Sequence, residues 1–172
     1  LVFLGSRPDP WHGIPRLIQS IRTYRRNGGT VKVTLHFVGK IGREDVGVAE
    51  SEEGFIFHGL LSDEKLDSVM AEMNLAVCTL AQYLKQLDET SAIKTVEYLA
   101  RAIPFLIAYE DTALTNQESL TDTYLRFPNN DSNIDFEDVI LFAQSVTSNR
   151  NSVMTRMRSY AEQNCDWAVK MD

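Results

Sequence analysis

Residues 89–105, with the sequence ETSAIKTVEYLARAIPF, combine a polar loop, a short amphipathic helix and a proline that opens a strand. Thr90 or Ser91 is expected to cap the helix, because a hydroxyl there can accept a hydrogen bond from a free backbone N–H group. Apolar residues recur at helical spacing and predict one buried stripe. This stripe consists of Ile93, Val96, Leu99, Ala100 and Ile103. A helix that leads directly into an apolar strand is typical of a crossover in an α/β fold.

Strand and helix patterns alternate along most of the chain. Six runs are rich in β-branched and aromatic residues, as strands usually are. They are LVFL (1–4), VKVTLHFVG (31–39), FIFHG (55–59), LAVCTL (75–80), PFLIAY (104–109) and TYLRF (123–127). Helical patterns separate most of these runs, the weakest of them at 40–53, and two more follow at 134–148 and 150–164.

The strand runs decide the fold class. Several of them, such as LAVC, are apolar without polar alternation, which is typical of strands that are covered on both faces. We therefore predict an α/β fold with a Rossmann-like, doubly wound, mostly parallel six-stranded sheet and helices on both faces. The length of 172 residues fits a single domain.

The charge and the cysteine content argue against several functions. Seventeen basic and 24 acidic residues give a net charge of -7, which argues against a nucleic-acid partner because phosphate binding needs a basic face. Cys78 and Cys165 form no ligand cluster or redox pair, so reduced thiols in the cytoplasm are expected. No residues stand at metal-ligand spacing, and no apolar run is long enough for a membrane helix. We expect neither a metal nor another cofactor.

The loops that follow the strands are the places where an open parallel sheet binds ligands. The loop GSRPDPWHG (5–13) comes after the first strand and offers Arg7 and His12 to an anion near a helix start. The alternative is a proline-stiffened loop in which His12 is solvated.

The helix within residues 89–105 carries charged residues beside its buried stripe. Lys94, Glu97 and Arg101 follow one another at i, i+3 and i+7, and Glu89 lies just before the helix. A carboxylate at this boundary can accept from two neighbouring hydroxyls, as on a ribose, while Lys94 and the helix start would stabilise a diphosphate. The alternative is an ordinary ion pair between Glu97 and Arg101, with Glu89 as a loop acid.

The order of these motifs resembles the carboxyl-terminal half of retaining glycosyltransferases with the two-domain GT-B architecture. The group concerned is the large one, of the group 1 or family four type, typified by bacterial polysaccharide mannosyl- and glucosyltransferases. The likeness covers nearly the whole chain and includes FLGSRPDPWHGIPRLIQSI, LHFVG and FIFHGLLSDEKL. Its most specific part is Glu89, seven intervening residues and Glu97, followed by YLARAIPFLIA.

The resemblance assigns roles to individual residues. Glu97 would hold the ribose hydroxyls of a sugar nucleotide, and Glu89 would be the catalytic residue that contacts the donor sugar near its reacting carbon. The other donor-binding residues would contact the diphosphate, the sugar or the base, with residues 59–61 against the base. They are Arg7, His12, Gly59, Leu60, Leu61, Thr90, Ser91 and Lys94.

Some positions depart from the pattern of the family. Ser6 and His12 stand where Arg and Lys are common, which predicts a differently built diphosphate site. Ala102 stands where a helix-ending Gly is usual, and it would cost about 1 kcal/mol if the backbone there needs a positive φ. The segment CDWAVK resembles a closing helix that packs across the hinge, which would leave Trp167 partly uncovered.

The resemblance also implies a function. Residues 1–172 would be a single nucleotide-sugar-binding domain, and the amino-terminal acceptor domain would lie outside this chain. The whole protein would transfer a hexosyl group from a nucleotide diphosphate sugar to a saccharide or lipid-linked acceptor in polysaccharide or glycoconjugate synthesis. It would be cytoplasmic, with peripheral association at the inner face of the membrane as an open option, and this fragment alone would be inactive.

Two other functions stay open from the sequence. A nucleotide-sugar 2-epimerase shares the GT-B architecture and would take most of its acid and base groups from the other half. A non-catalytic, flavodoxin-like binding module is the third reading. A phosphoacceptor regulator of that kind would carry an Asp at the end of its third strand, and FIFHG has none.

Overall fold

The computed structural model describes residues 1–165 of the chain. The strands, in chain order, are β1 (Val2–Leu4), β2 (Leu35–Val38), β3 (Phe55–Phe57), β4 (Ala76–Val77), β5 (Glu89–Thr90), β6 (Phe105–Ile107), β7 (Glu110–Asp111) and β8 (Tyr124–Arg126). The α-helices are α1 (Ile14–Arg26), α2 (Asp63–Ala71), α3 (Ile93–Ala100), α4 (Phe136–Ser148) and α5 (Arg150–Asn164). Short 3-10 helices lie at Pro10–His12, Glu44–Val46, Gln82–Lys85 and Glu118–Leu120. The expectation for Trp167 concerns a position outside the described residues.

The central sheet has six strands in the order β3-β2-β1-β4-β6-β8, and every neighbouring pair is parallel. The prediction of a doubly wound parallel sheet is confirmed. Strand order reverses between β1 and β4, where Phe3 pairs with Phe37 on one side and with Val77 on the other. In such sheets a crevice opens beyond the carboxyl ends of the strands at the reversal.

Helices cover both faces of the sheet, as predicted, because successive strand residues point to opposite sides. Phe3 belongs to the apolar core beneath α1 and α4, whereas its neighbour Val2 belongs to the core beneath α2, α3 and α5. Both side chains are fully buried. None of the helices within residues 1–165 combines the length and the apolar character that a membrane crossing requires.

One local prediction of secondary structure is wrong, and one small element was not predicted. Residues 40–53 do not form a helix but contain only the single turn Glu44–Val46, which Gly47 ends at a φ of 68°. The glycines and the charged residues of this segment leave too few apolar side chains for a helix to bury. The second difference is the small parallel pair β5·β7, in which Glu89 lies opposite Glu110 and Thr90 opposite Asp111. Both strands of this pair consist of polar residues, so no apolar run marks them in the sequence.

The buried face of α3 also differs from the expected one. Ile93 is 87% exposed and Ala100 is exposed, while Thr95 and Tyr98 are completely buried. The Tyr98 hydroxyl donates to the carbonyl of Val77 at 3.1 Å and accepts from a backbone N–H of β1 at 3.3 Å. These bonds satisfy a polar group that burial would otherwise penalise, so the tyrosine can turn its side of the helix inward.

Candidate functional site

A cavity of about 460 Å³ lies at the carboxyl edge of the sheet, next to the point where strand order reverses. Its walls come from the ends of β1 and β2, the turn after β3, and the start of α3. The lining residues are Leu4, Gly5, Ser6, Val38, Gly39, Leu60, Leu61, Leu66, Ile93, Lys94 and Glu97. Four of the predicted site residues, Leu60, Leu61, Lys94 and Glu97, therefore lie around one cavity.

The floor of the cavity depends on a close approach of two loops. Gly39 has a φ of +125°, and an added Cβ would lie 1.7 Å from the carbonyl oxygen of Gly5. The Gly5 N–H donates to the Val38 carbonyl at 3.0 Å, which continues the pairing of β1 with β2 beyond their last residues. A side chain at position 39 would therefore force the two loops apart.

Lys94 brings a cation to the wall of the cavity. Its Nζ lies 3.2 Å from Nε2 of His12 and 5.2 Å from the ring centroid of Phe3. His12 is buried and not solvated, and burial, followed by the charge of Lys94, lowers its pKa to about 4. A neutral imidazole can accept from the Lys94 ammonium, so His12 positions the cation and does not add a charge. Burial also lowers the pKa of Lys94.

Glu97 contributes a carboxylate to the same cavity. Its Oε1 accepts from Nε of Arg101 at 2.6 Å, and Nη1 of Arg101 donates to Asp67. Oε2 of Glu97 has no hydrogen-bond partner within residues 1–165, and the side chain is 38% exposed. Glu97 thus forms the ion pair with Arg101 and also lines the cavity, and one of its carboxylate oxygens stays available to a ligand.

The start of α3 is held by a residue that sequence reasoning missed. The predicted capping by Thr90 or Ser91 is wrong, because the cap residue is Ala92 and no side chain of the loop caps the helix. Instead Asp111 reaches back from β7, and its Oδ2 accepts from Thr95 Oγ1 at 2.5 Å and from the Ala92 N–H at 3.4 Å.

Asp111 is only 3% exposed, yet its carboxylate is well supplied with donors. Oδ1 accepts from the Ala113 N–H at 2.9 Å, and the Tyr109 hydroxyl lies 3.3 Å from Oδ2. Thr95, which is fully buried, also lies 3.7 Å from the sulfur of Cys78. The signal in the sequence was an acid placed shortly after a buried strand, but nothing in the spacing relates it to a helix that begins 18 residues earlier.

The other predicted residues lie outside the lining of the cavity. Glu89 is exposed on β5, and Thr90 and Ser91 follow it before α3 begins. Arg7 is exposed and forms an ion pair with Asp9 at 2.9 Å. Gly59 adopts a φ of 65° and accepts from the Gly39 N–H at 2.9 Å, which fixes the turn that carries Leu60 and Leu61. The ligand contacts assigned to these residues stay predictions.

Comparisons with known proteins bear on the fold. No family model matches the chain, and no curated protein matches it. Solved structures do match. One is the Anabaena protein HepE in complex with UDP and glucose. It is 21% identical to this chain with a TM-score of 0.66, and the match covers 96% of this chain and 44% of that one. Sucrose-phosphate synthase from Thermosynechococcus elongatus is 16% identical with a TM-score of 0.63, over 99% and 42% of the two chains. A glycosyltransferase from Rickettsia africae is 13% identical with a TM-score of 0.69, over 98% and 44%.

This chain spans less than half the length of each of these proteins. The matched structures are GT-B proteins, so the chain has the fold of one half of that architecture, and the extent of the match is consistent with the carboxyl-terminal half. The predicted fold class is confirmed.

Proposed function

We propose that the chain is the donor-binding half of a retaining glycosyltransferase that uses a nucleotide diphosphate sugar. The observation that carries this proposal is the meeting of Lys94 and Glu97 in one cavity beyond the carboxyl ends of β1, β2 and β3. Ligands of open parallel sheets bind in this position. The similarity in fold to HepE, whose structures contain UDP and UDP-glucose, supports the same assignment.

Glu97 is proposed to bind the ribose of the donor. Two neighbouring hydroxyls can donate to a single carboxylate, and Oε2 is available for this while Arg101 holds Oε1. The apolar turn formed by Leu60 and Leu61 lies on the same cavity, where it offers a surface to the base. Leu60 is 68% exposed, so its side chain is accessible to a base in the cavity.

Lys94 is proposed to neutralise the leaving diphosphate. A cation aimed at the place where negative charge develops lowers the barrier to glycosyl transfer without a metal. The first turn of α3 adds backbone N–H groups that have no partner within the helix. His12 takes part by fixing the position of the Lys94 ammonium, since its ring nitrogen lies 3.2 Å away. Arg7, Thr90 and Ser91 are proposed as further contacts of the diphosphate or of the sugar.

Glu89 is proposed as the residue beside the reacting carbon of the donor sugar. It is exposed and precedes α3 by four residues, so its side chain is free to reach a sugar that extends from the cavity. The acceptor and the remaining catalytic groups would come from an amino-terminal domain outside this chain. The whole protein would then act in the cytoplasm or at the inner face of the membrane, in polysaccharide or glycoconjugate synthesis.

The test is a calorimetric titration of this chain with UDP, GDP and ADP and with the corresponding glucose derivatives. Glu97→Gln should weaken binding of the preferred nucleotide at least about tenfold, because hydrogen bonds to an ionised group contribute about 1.5–3 kcal/mol. Glu162→Gln, which changes an exposed acid of α5, is the matched control and should bind as the unmodified chain does. Glu89→Gln should weaken binding of the sugar nucleotide but not of the nucleotide alone. Equal affinities of Glu97→Gln and the unmodified chain would refute the assignment of the ribose site.

A further inference from the structure

A second cavity lies at the opposite edge of the sheet from the donor cavity. This basic groove has a volume of about 430 Å³ and is formed by α2, the ends of α3 and α4, and α5. Asn74 and Pro104, which precede β4 and β6, line it, so it opens at the amino ends of the strands. Its size is within the usual range of small-molecule sites, and the proposed glycosyl transfer makes no use of it.

The groove concentrates positive charge on a chain whose net charge is -7. Arg101, Arg150 and Arg158 line it, together with a single acid, Asp67. Arg101 is already bound to Glu97 and Asp67, but the side chains of Arg150 and Arg158 make no ion pair or hydrogen bond with any residue in 1–165. Both are exposed, so two guanidinium groups stand at the groove without a counterion from the described part of the protein.

The two unpaired arginines lie on one face of α5. Arg150, Met154 and Arg158 are spaced at i, i+4 and i+8, which places them in a row along the groove. Their Cα atoms extend over about 12 Å, a distance that two arginine side chains can span to reach the same anion. Arg150 also lies in the first turn of α5, where a cation meets the positive end of the helix dipole, and a bound anion would offset this repulsion.

The floor of the groove is apolar. Met70 and Val153 are each 2% exposed and Ile103 is 6% exposed, so they form a packed surface between the charged sides. Methionine side chains adapt to irregular apolar partners, and Met154 lies between the two arginines. A ligand of this groove therefore needs an anionic end and an apolar body.

We propose that the basic groove binds a small phosphate monoester with an apolar or aromatic body. The guanidinium fork matches the oxygens of a phosphate dianion, and two forks can share its charge. The small size of the groove and the acidic character of the rest of the chain disfavour a nucleic acid or an anionic membrane surface, which would need an extended basic face. The proposal does not rest on the proposed transferase function.

The experiment is a titration of this chain, without a nucleotide sugar, with phenyl phosphate as the probe. Phenol and inorganic phosphate are the reference compounds, because each carries only one of the two features that the groove recognises. Phenyl phosphate should bind at least tenfold more tightly than either. The double variant Arg150→Ala/Arg158→Ala should lose at least tenfold in affinity, whereas Arg26→Ala, which removes an exposed arginine at the end of α1, should bind as the unmodified chain does.

Two outcomes would overturn the proposal: no binding of phenyl phosphate by the unmodified chain, or equal binding by the double variant. Lys94→Ala separates this site from the donor cavity, because Lys94 lines that cavity and not the groove. If Lys94→Ala abolishes binding of phenyl phosphate while the double variant retains it, the probe occupies the donor cavity and the proposal fails. If the unmodified chain binds phenyl phosphate but none of the nucleotides, the proposed function alone is contradicted.

Discussion

Replacement of Asp111 by alanine should destabilise the fold strongly. The carboxylate accepts from Thr95 Oγ1 at 2.5 Å and from the Ala113 N–H at 2.9 Å, with weaker contacts at 3.3 and 3.4 Å to Tyr109 and Ala92. Thr95 is fully buried and Tyr109 is 3% exposed, so water cannot easily replace the lost acceptor. A buried donor left without a partner costs about 1–3 kcal/mol. Because the residues around the removed carboxylate can relax in part, we expect a loss of about 3 kcal/mol in the free energy of unfolding.

The assay is urea unfolding of the variant, supported by thermal unfolding. A loss of about 3 kcal/mol corresponds to a decrease of about 6–12 °C in the melting temperature for a chain of this size. Asp135→Ala is the control, since that acid accepts from one N–H at the exposed start of α4 and should cost only about 1 kcal/mol.

A double-mutant cycle makes the test specific to the bond between Asp111 and Thr95. Thr95→Val removes the donor while keeping the shape of the side chain. Combined with Asp111→Ala it should cost less than the sum of the two single changes, by at least about 1 kcal/mol. Strict additivity, or a cost of Asp111→Ala below that of Asp135→Ala, would refute the view that this buried carboxylate fixes the start of α3.

Two further predictions concern the floor of the cavity and the buried histidine. Gly39→Ala should destabilise by about 4 kcal/mol, because the new Cβ would lie 1.7 Å from the Gly5 carbonyl oxygen. Gly47→Ala, where φ is +68° and an added Cβ would meet nothing within 4 Å, should cost only about 1 kcal/mol in the same urea unfolding assay, and equal costs would contradict the steric argument. For His12, burial lowers the pKa of the folded state to about 4, so the unfolded chain takes up the proton first and stability falls between about pH 6.5 and 4. The contribution approaches about 3 kcal/mol, and His12→Gln should remove this part of the acid destabilisation, whereas parallel pH profiles of the two proteins would contradict it.

The fold could be predicted because apolar runs and helical patterns alternate along most of the chain. Six apolar runs separated by helical spacing specify a parallel sheet that is covered on both faces, since a solvent-facing sheet would alternate polar residues. The same reasoning failed for residues 40–53, where helical spacing is weak and glycines allow the backbone to turn. The sequence pattern therefore predicts the sheet and the helices that cover it, but it does not predict the structure of every connection between the strands.

The pattern of α3 predicted where two of its charged residues lie, but not which of its faces is buried. Lys94 and Glu97 were expected at the boundary between core and solvent, and both do line the cavity. The buried stripe was misplaced because only apolar residues were counted, whereas Thr95 and Tyr98 are buried with their hydroxyls hydrogen-bonded. As a result Ile93 points to the cavity and not to the core.

Asp111 could not have been found from local sequence. Its partner Thr95 is 16 residues away, and the contact depends on the two-residue pair β5·β7, which carries no recognisable period. Helix capping rules consider the residue directly before the helix, and here that residue is Ala92, which has no polar side chain. The acid arrives instead through tertiary structure, and only the packing of β7 beside β5 reveals it.

Helix α3 connects the donor cavity with the basic groove. Its first turns present Lys94 and Glu97 to the cavity, and its end presents Arg101 to the groove. Arg101 contacts Glu97 and Asp67 at the same time, so α2 and α3 together orient the carboxylate that is proposed to hold the ribose. Because these side chains are between 26% and 64% exposed, their ion pairs add only about 0–1 kcal/mol each to stability. Their importance is positional, since Arg101 holds Oε1 of Glu97 while Oε2 stays available to the donor cavity.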